Sequence, residues 1–373
     1  MADFSGDGRL DLAMAGRLND HVSVLVNRGD GSLQTIGHLL QDDEPTSLAV
    51  ADFDGDGRHD IAVGSPYSSI VTLQMNRGEG QFSPAENGGW AGSSPDTLAA
   101  ADLNGDGWED LVAIAADADT LQVLMNKGNG ELEDGVDYPK GETEMASWQS
   151  LVIADVTNDG APDIVTSNSG SVEVIRNQGD GTFALPMYYA VMHATNALAV
   201  ADLDGDGWLD VLATAMGSQL SVLFNQGDGA LGPPVLISAS AHGAQIAALD
   251  LNGDAFPDIV AGSGNDVLIL LNHGDGTFAP AVHYPTESQP EKFLAADVDG
   301  DGDLDVAALQ PEPALVSVLL ANGAGTFLPA RVFNAGLWSH AFAAADLDGD
   351  GRSDLLTADP FGTVDLLYST CLP

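Results

Sequence analysis

Nine residues, Asp52-Phe-Asp-Gly-Asp-Gly-Arg-His-Asp60, place carboxylates at positions 1, 3, 5 and 9 and glycine at positions 4 and 6. The pattern starts again at Asp3, Asp52, Asp102, Asp155, Asp202, Asp250, Asp297 and Asp346, so successive copies lie 49, 50, 53, 47, 48, 47 and 49 residues apart. A near-constant period of this length marks a repeat architecture, in which one small unit buries its apolar faces only by packing against copies of itself.

Each copy gathers oxygen atoms as a hard cation requires. Ca²⁺ is held by several oxygens from a flexible loop. Alternation in a tight loop turns positions 1, 3 and 5 toward one point, and glycine permits the backbone angles of the turn. The carbonyl of position 7 adds a further oxygen and position 9 closes the set. Read position by position, the expected donors are Asp3, Ser5, Asp7, Arg9 and Asp11; Asp52, Asp54, Asp56, Arg58 and Asp60; Asp102, Asn104, Asp106, Trp108 and Asp110; and Asp155, Thr157, Asp159, Ala161 and Asp163. The second half of the chain offers Asp202, Asp204, Asp206, Trp208 and Asp210; Asp250, Asn252, Asp254, Phe256 and Asp258; Asp297, Asp299, Asp301, Asp303 and Asp305; and Asp346, Asp348, Asp350, Arg352 and Asp354. Up to eight Ca²⁺ are expected, in a structural role, because the protein fills every ligand position whereas a catalytic metal keeps one open. Loops four and six are expected to bind most weakly: Thr157 and Asn158 replace the usual acid and glycine in one, Asn252 and Ala255 in the other. An EF-hand would need a carboxylate at position 12 and flanking helices. Position 12 here is Met14, Val63, Ala113, Thr166, Ala213, Ala261, Ala308 or Thr357, which excludes the EF-hand and a dockerin-like arrangement with it.

The residues around each loop repeat as well. A short apolar run (strand A, as in Leu198-Ala-Val-Ala201) enters the loop and a second (strand B, Asp210-Val-Leu-Ala-Thr214) leaves it. An alternating run follows (strand C, Leu220-Ser-Val-Leu-Phe224), then a turn of the form Asn-x-Gly-Asp-Gly-x-Phe that opens a weaker strand D. The turn spans Asn27–Leu33, Asn76–Phe82, Asn126–Leu132, Asn177–Phe183, Asn225–Leu231 and Asn272–Phe278, with a degenerate seventh copy at Ala321–Phe327. Asn, Asp and Gly are read here as suppliers of the positive φ angles of a tight hairpin. No stretch has a sustained helical period. Four short strands per unit are the form of a propeller blade. The expected fold is therefore all-β, a β-propeller of four-stranded blades with the calcium loops between strands A and B. Eight blades are expected, with seven as the alternative. The units start near residues 1, 47, 97, 150, 197, 245, 292 and 341 and read as one domain over 1–373. Unit one keeps only Met1-Ala-Asp3 of strand A, and unit eight ends at Tyr368-Ser-Thr-Cys-Leu-Pro373, where its turn should begin. The last blade should then be three-stranded, or the two ends should share a blade.

Units of the type Leu-Ala-Val-Ala-Asp-x-Asp-Gly-Asp-Gly-x-x-Asp followed by Asn-x-Gly-Asp-Gly-Thr-Phe resemble the FG-GAP/VCBS repeat family, over about residues 1–370. That family includes the integrin α-subunit propeller, many secreted bacterial proteins and a group of fungal lectins. The resemblance implies a propeller with Ca²⁺ in the A–B loops. It implies no single function, because function resides in sites carried by a fold.

Composition narrows the setting. The chain carries 56 acids against 11 Lys and Arg, a net charge of −45, yet 44% of its residues are hydrophobic, which argues against disorder. The aspartates at loop positions 1, 3, 5 and 9 number 28, half of all acids. Eight Ca²⁺ would reduce the net charge to −29, so folding should be coupled to calcium. Nothing here would neutralise phosphates, which excludes nucleic acid. Cys371 is the single cysteine and forms no internal disulfide. Modest calcium sites fill at extracellular rather than cytosolic concentrations, so an extracellular or cell-surface setting is expected. No membrane-inserting run is visible, nor is a signal peptide. The chain is read as part of a longer secreted protein.

The strand directions put the calcium loops and Asn-x-Gly turns on one face and the D–A and B–C connections on the other. On the second face lie Trp90, in Asn87-Gly-Gly-Trp-Ala-Gly, Trp148, and Trp338 with His340 in Gly336-Leu-Trp-Ser-His340. Aromatic residues on loops over a rigid scaffold commonly bind ligands, and tryptophan beside polar side chains suits a sugar. The alternative is that each packs between blades. The Gly-Gly-Trp context of Trp90 is similar to that of the fungal lectins. Trp108 and Trp208, at loop position 7, should cover the adjacent blade. Arg28-Gly-Asp30 spells an adhesion tripeptide but occupies the variable slot of a repeated turn. No nucleophile, zinc or dinucleotide motif is present. The pair Asp117 and Asp119 could serve a glycosidase, although a solvated loop is the simpler reading. The expected activity is calcium-dependent binding of a carbohydrate or protein ligand, as a binding or adhesion module, without catalysis. The alternatives are a polysaccharide lyase or hydrolase on the same scaffold, and a structural module of a larger protein.

Overall fold

Short Val-, Ile-, Leu- and Ala-rich runs bounded by glycine turns are too brief for helices and pair readily as strands. The computed structural model describes residues 1–369 except 19, 31, 41–43, 66, 68, 84–85, 91–94, 116–119, 140–149, 169, 192–196, 216–217, 242–244, 337–338, 340 and 362. Of residues 37, 38, 40, 86–88, 90, 96, 115, 120, 139, 168, 215, 218, 238 and 240 it describes the backbone alone. The described residues form 30 strands in eight antiparallel sheets and no α-helix. Blade 2 shows the plan. Its strands A (Ser47–Ala51), B (Asp60–Gly64), C (Ile70–Gln74) and D (Glu86–Trp90) are hydrogen-bonded in chain order. Strand A of each blade from 2 to 7 contacts strand A of the next, so the A strands line the axis and the D strands form the rim.

The ring has eight blades, the first of the two expected numbers. Among the described residues its ends do not share a blade. Blade 1 has strands B (Leu12–Gly16), C (His21–Asn27) and D (Leu33–Leu40), and its strand A is reduced to a bridge between Ala2 and Asp11. Blade 8 has strands A (Ala341–Ala345), B (Asp354–Ala358) and C (Val364–Leu367) and, among the described residues, no strand D. Side chains close the ring between them: Leu12 and Leu33 of blade 1 pack with Ala343, Val364 and Leu366 of blade 8. The Leu18 N–H also donates to the Pro360 carbonyl at 3.1 Å.

Two sets of residues hold neighbouring blades together. The apolar residue at loop position 2 (Phe4, Phe53, Leu103, Val156, Leu203, Leu251, Val298, Leu347) is at most 3% exposed in every copy. It wedges between blades, as Phe53 does against Leu111 and Leu124 of blade 3. The first residue of the C–D turn is the second device. Asn126 Nδ2 donates to Phe53 O of blade 2 at 2.9 Å and to Glu109 O of its own blade at 3.0 Å. Asn76, Asn177, Asn225 and Asn272 reach Phe4 O, Leu103 O, Val156 O and Leu203 O in the same way. This corrects the turn chemistry expected from sequence. Positive φ in these turns belongs to their glycines and to Glu79, whereas the asparagine is a buried clamp whose Oδ1 receives the N–H of the next glycine.

Asn126→Ala leaves two inward carbonyls without their donor and should cost about 2 kcal/mol of stability. Urea unfolding in saturating calcium would measure it; a loss below about 0.5 kcal/mol would show that the clamp is dispensable.

Candidate metal centres

The backbone of each loop wraps around its own carboxylates. Asp52 Oδ1 accepts the Gly55 N–H at 2.7 Å and its Oδ2 accepts the Gly57 N–H at 2.8 Å. The same pair of bonds reaches Asp3, Asp102, Asp202, Asp250, Asp297 and Asp346. Position 9 is held more firmly still. Asp60 Oδ2 accepts the Phe53 N–H at 2.9 Å and Oδ1 accepts the Asn76 N–H at 2.7 Å. Asp11, Asp110, Asp163, Asp210, Asp258, Asp305 and Asp354 repeat this, and all eight are at most 1% exposed.

In four loops the carboxylates converge closely enough to hold a metal ion. One oxygen from each member of Asp52, Asp54 and Asp60 lies within 4.8 Å of the others, and so do those of Asp202, Asp204 and Asp206; of Asp297, Asp299 and Asp305; and of Asp346, Asp348 and Asp354. These are the loops with aspartate at position 3. The other four carry a neutral oxygen there, and it quiets a neighbouring carboxylate. Asn104 and Asn252 donate from Nδ2 to Asp106 and Asp254, each at 2.9 Å. Ser5 and Thr157 donate to Asp3 and Asp155 at 3.4 and 3.3 Å. An all-oxygen set of this kind fits a hard divalent cation.

Burial raises the ninth-position carboxyls: Asp60, Asp110, Asp258 and Asp305 to about 6 and Asp210 to about 7. Their N–H donors pull the other way, and the remaining loop carboxylates push them further up. Asp11, Asp163 and Asp354 shift upward as well, burial again being the largest cause.

Position 7 has a role beyond its carbonyl. The Trp108 ring lies over Gly55 of the preceding blade's loop and over Gly128 of its own C–D turn, so a Cβ at either glycine would collide with it. This is the cover expected of Trp108. Trp208 stands beside Gly227 of its own turn, and Phe256 fills the corresponding space between Gly205 and Gly274. Arg58 Nε donates to Asn76 O at 3.0 Å while its guanidinium meets Asp56, and Arg9 pairs with Asp7. In loop six Ala255 has φ 73°, and in loop four Asn158 has φ 54°. The left-handed region is costly for alanine and better tolerated by asparagine.

Of the residues assigned to the opposite face, Trp90 ends strand D of blade 2, paired with Ile70, and its side chain lies outside the described residues. Trp148, Trp338, His340, Asp117 and Asp119 lie outside them altogether. The Arg28-Gly-Asp30 turn is described: Asp30 Oδ1 accepts the Ser32 N–H at 3.0 Å, so the aspartate serves its own turn.

Two outcomes follow from the loops. Ala255→Gly should relieve the left-handed strain and add about 1 kcal/mol of stability; a loss on chemical denaturation would contradict this. A folded-state pKa above the unfolded value means that the folded protein binds protons more tightly. Metal-free protein should therefore lose stability as pH rises from about 4 to about 7. A divalent cation should restore it at the upper end. Thermal melting at several pH values, with chelator and with calcium, reads this directly; metal-free stability that climbs with pH would refute it.

The FG-GAP-like repeat model matches residues 3–63, 52–113, 102–166, 155–213, 202–261, 250–308 and 297–357, each window running from one loop into the next. No curated protein matches the chain. Among solved structures, a lectin from Agrocybe aegerita that recognises non-reducing terminal N-acetylglucosamine is similar at 21% identity and a TM-score of 0.62, over 97% of this chain and 96% of that one. The dihydro-heme d1 dehydrogenase NirN is 13% identical at a TM-score of 0.64, over 99% of this chain and 75% of its own. BBS1N, solved in complex with ARL6DN, is 12% identical at 0.58, over 87% and 91%. At such identities these likenesses describe the fold alone, whereas the seven overlapping windows run over nearly the whole sequence, and the chain belongs to the FG-GAP-like repeat family.

Proposed function

We propose that this protein is a calcium-loaded extracellular binding module that takes a carbohydrate on its D–A/B–C face. The observation that carries the calcium half is the buried ninth-position aspartate, repeated in all eight loops and joined to further carboxylates in three of the four convergent clusters. Such a set is self-repulsive until a cation enters it, and extracellular calcium is abundant enough to fill modest sites. Six carbonyls at position 7, those of Arg9, Arg58, Trp108, Trp208, Phe256 and Arg352, would complete sets whose side chains already lie against neighbouring segments. Calcium would then stabilise the ring and take no part in chemistry.

The carbohydrate half rests on two supports. The Agrocybe aegerita lectin shares the whole extent of this chain, so the scaffold is one that can present a sugar site. Trp90 ends strand D where the D–A connection begins, on the face away from the metal loops. Tryptophan stacks on the apolar face of a pyranose while neighbouring amides meet its hydroxyls. Trp148 and Trp338 with His340 would furnish equivalent positions on other blades. A protein ligand on the same face is the companion reading, since the folded relatives include one solved with a protein partner.

A glycan-array screen in millimolar calcium, repeated with chelator and with Trp90→Ala, Trp148→Ala and Trp338→Ala, tests both halves. Binding should be saturable, should vanish on chelation and should fall at least about tenfold in one tryptophan variant. No binding by folded, calcium-loaded protein would reject the sugar ligand.

A further inference from the structure

The chain contains five Asn–Gly pairs, beginning at Asn87, Asn104, Asn129, Asn252 and Asn322. Such a pair can cyclise, because glycine has no side chain to keep its backbone nitrogen away from the carbonyl carbon of the preceding asparagine side chain. In a folded protein the reaction also needs that nitrogen to be free. Asn104 and Asn252 sit in metal loops, where the Gly105 and Gly253 N–H groups donate to the Asp102 and Asp250 carboxylates, each at 2.8 Å. A hydrogen bond to a charged acceptor must break before either nitrogen can react. The side chain of Asn87 lies outside the described residues.

Asn322 and Gly323 are the second and third residues of the C–D turn of blade 7, and comparison with the other turns shows what this one lacks. Where a turn begins with asparagine, the Oδ1 of that residue takes the N–H of the third residue: Gly29, Gly78, Gly128, Gly179, Gly227 and Gly274 donate in this way at 2.8–3.1 Å. Blade 7 begins its turn with Ala321, which offers no such oxygen, and among the described residues the Gly323 N–H has no partner. The same turn is the one copy with asparagine in second place, where the others carry Arg28, Arg77, Lys127, Gln178, Gln226 and His273. Asn322 and Gly323 are both exposed. The Thr326 hydroxyl donates to Asn322 Oδ1 at 2.5 Å. That bond polarises the side-chain carbonyl toward attack and stabilises the charge that develops on its oxygen. Asn129 is the intermediate case: the Gly130 N–H is also unpaired, but a Cβ at Gly130 would meet Met75 and Asp54, so its backbone is packed in place.

We propose that Asn322 is a site of spontaneous covalent modification by deamidation, ahead of the pairs at Asn104, Asn129 and Asn252. The Gly323 nitrogen adds to Asn322 Cγ, and its proton passes through solvent to the departing amide nitrogen. The Cγ–Nδ2 bond breaks, ammonia leaves and a succinimide ring remains. Water opens the ring at either carbonyl, giving aspartate or isoaspartate, so one water is consumed for each ammonia released and nothing is oxidised or reduced. Either product places a new carboxylate beside Asp303, whose own carboxylate lies against Gly323. Isoaspartate also lengthens the backbone by one carbon in the turn whose Gly325 packs on Leu271 and Asn252 of blade 6. Modification would therefore loosen an interface that already lacks its asparagine clamp. The proposal does not depend on which ligand the protein takes.

The folded full chain, kept warm in calcium and mildly alkaline heavy-oxygen water, can be sampled over time, digested and mapped by mass spectrometry. Each asparagine converted in the folded protein takes up one heavy oxygen, which separates it from conversion during digestion. Asn322 should convert at least about tenfold faster than Asn104 or Asn252 in the same molecules, and faster than Asn129. In urea with chelator the rates should draw together, because the unfolded pairs share one local chemistry. Both arms use unaltered protein. Ala321→Asn restores the missing acceptor without touching the Asn–Gly pair and should slow conversion of Asn322 at least about fivefold. Conversion of Asn322 no faster than that of the metal-loop pairs, or a ranking that survives unfolding, overturns the proposal. An unchanged rate in folded Ala321→Asn overturns the part assigned to the missing clamp.

Discussion

A single buried carboxylate per blade joins segments that the chain separates. At position 9 of each loop one oxygen accepts an N–H from loop position 2, just past strand A, and the other accepts an N–H from the start of the C–D turn. The same aspartate opens strand B, so three connections of the blade meet at one group. Its neighbour in the turn, the clamp asparagine, then reaches the preceding blade. Burying this charge is unfavourable, as the raised carboxyl pKa values record. Two backbone donors offset part of that cost, and a cation drawn by the converging carboxylates would offset more.

The loop face is therefore where the ring is assembled. Position-2 wedges, clamp asparagines and position-7 side chains all act between blades, and all are anchored in or beside the loops. Trp108 illustrates the coupling: its ring touches the preceding loop and its own turn together, so ordering one orders the other. A cation bound in a loop would thus stabilise the blade interface as well as the turn.

The devices are unevenly spread around the ring. Clamps bridge blades 1 to 6, but blade 7 has Ala321 and blade 8 has Ser369 in the clamp position. In blade 1, Asn27 Nδ2 is buried without a hydrogen-bond partner among the described residues. The interfaces from blade 6 round to blade 1 lack the asparagine clamp and rest on apolar packing with a few other hydrogen bonds, such as Ser353 N–H to Asp297 O and Leu18 N–H to Pro360 O. Closure there relies on Leu12, Leu33, Val364 and Leu366, which are half-exposed and so bury less apolar surface than the wedges elsewhere.

Much of this was legible in the residues themselves. The loop period, the alternating apolar runs and the glycine turns determine the all-β blades and place the strands, because hydrophobic periodicity and positive-φ chemistry act over a few residues. Ala255 marked a strained loop for the same local reason. The tertiary structure alone decided what depends on residues distant along the chain. Asn126 reads as a turn residue, yet its amide is spent on Phe53 O, one blade away. Asp60 reads as a ligand, yet its two oxygens also receive backbone N–H groups from separate connections. Closure likewise rests on Leu33 and Val364 packing into one cluster with Met14, Leu25 and Ala358, an association between opposite ends of the chain for which local pattern carries no signal.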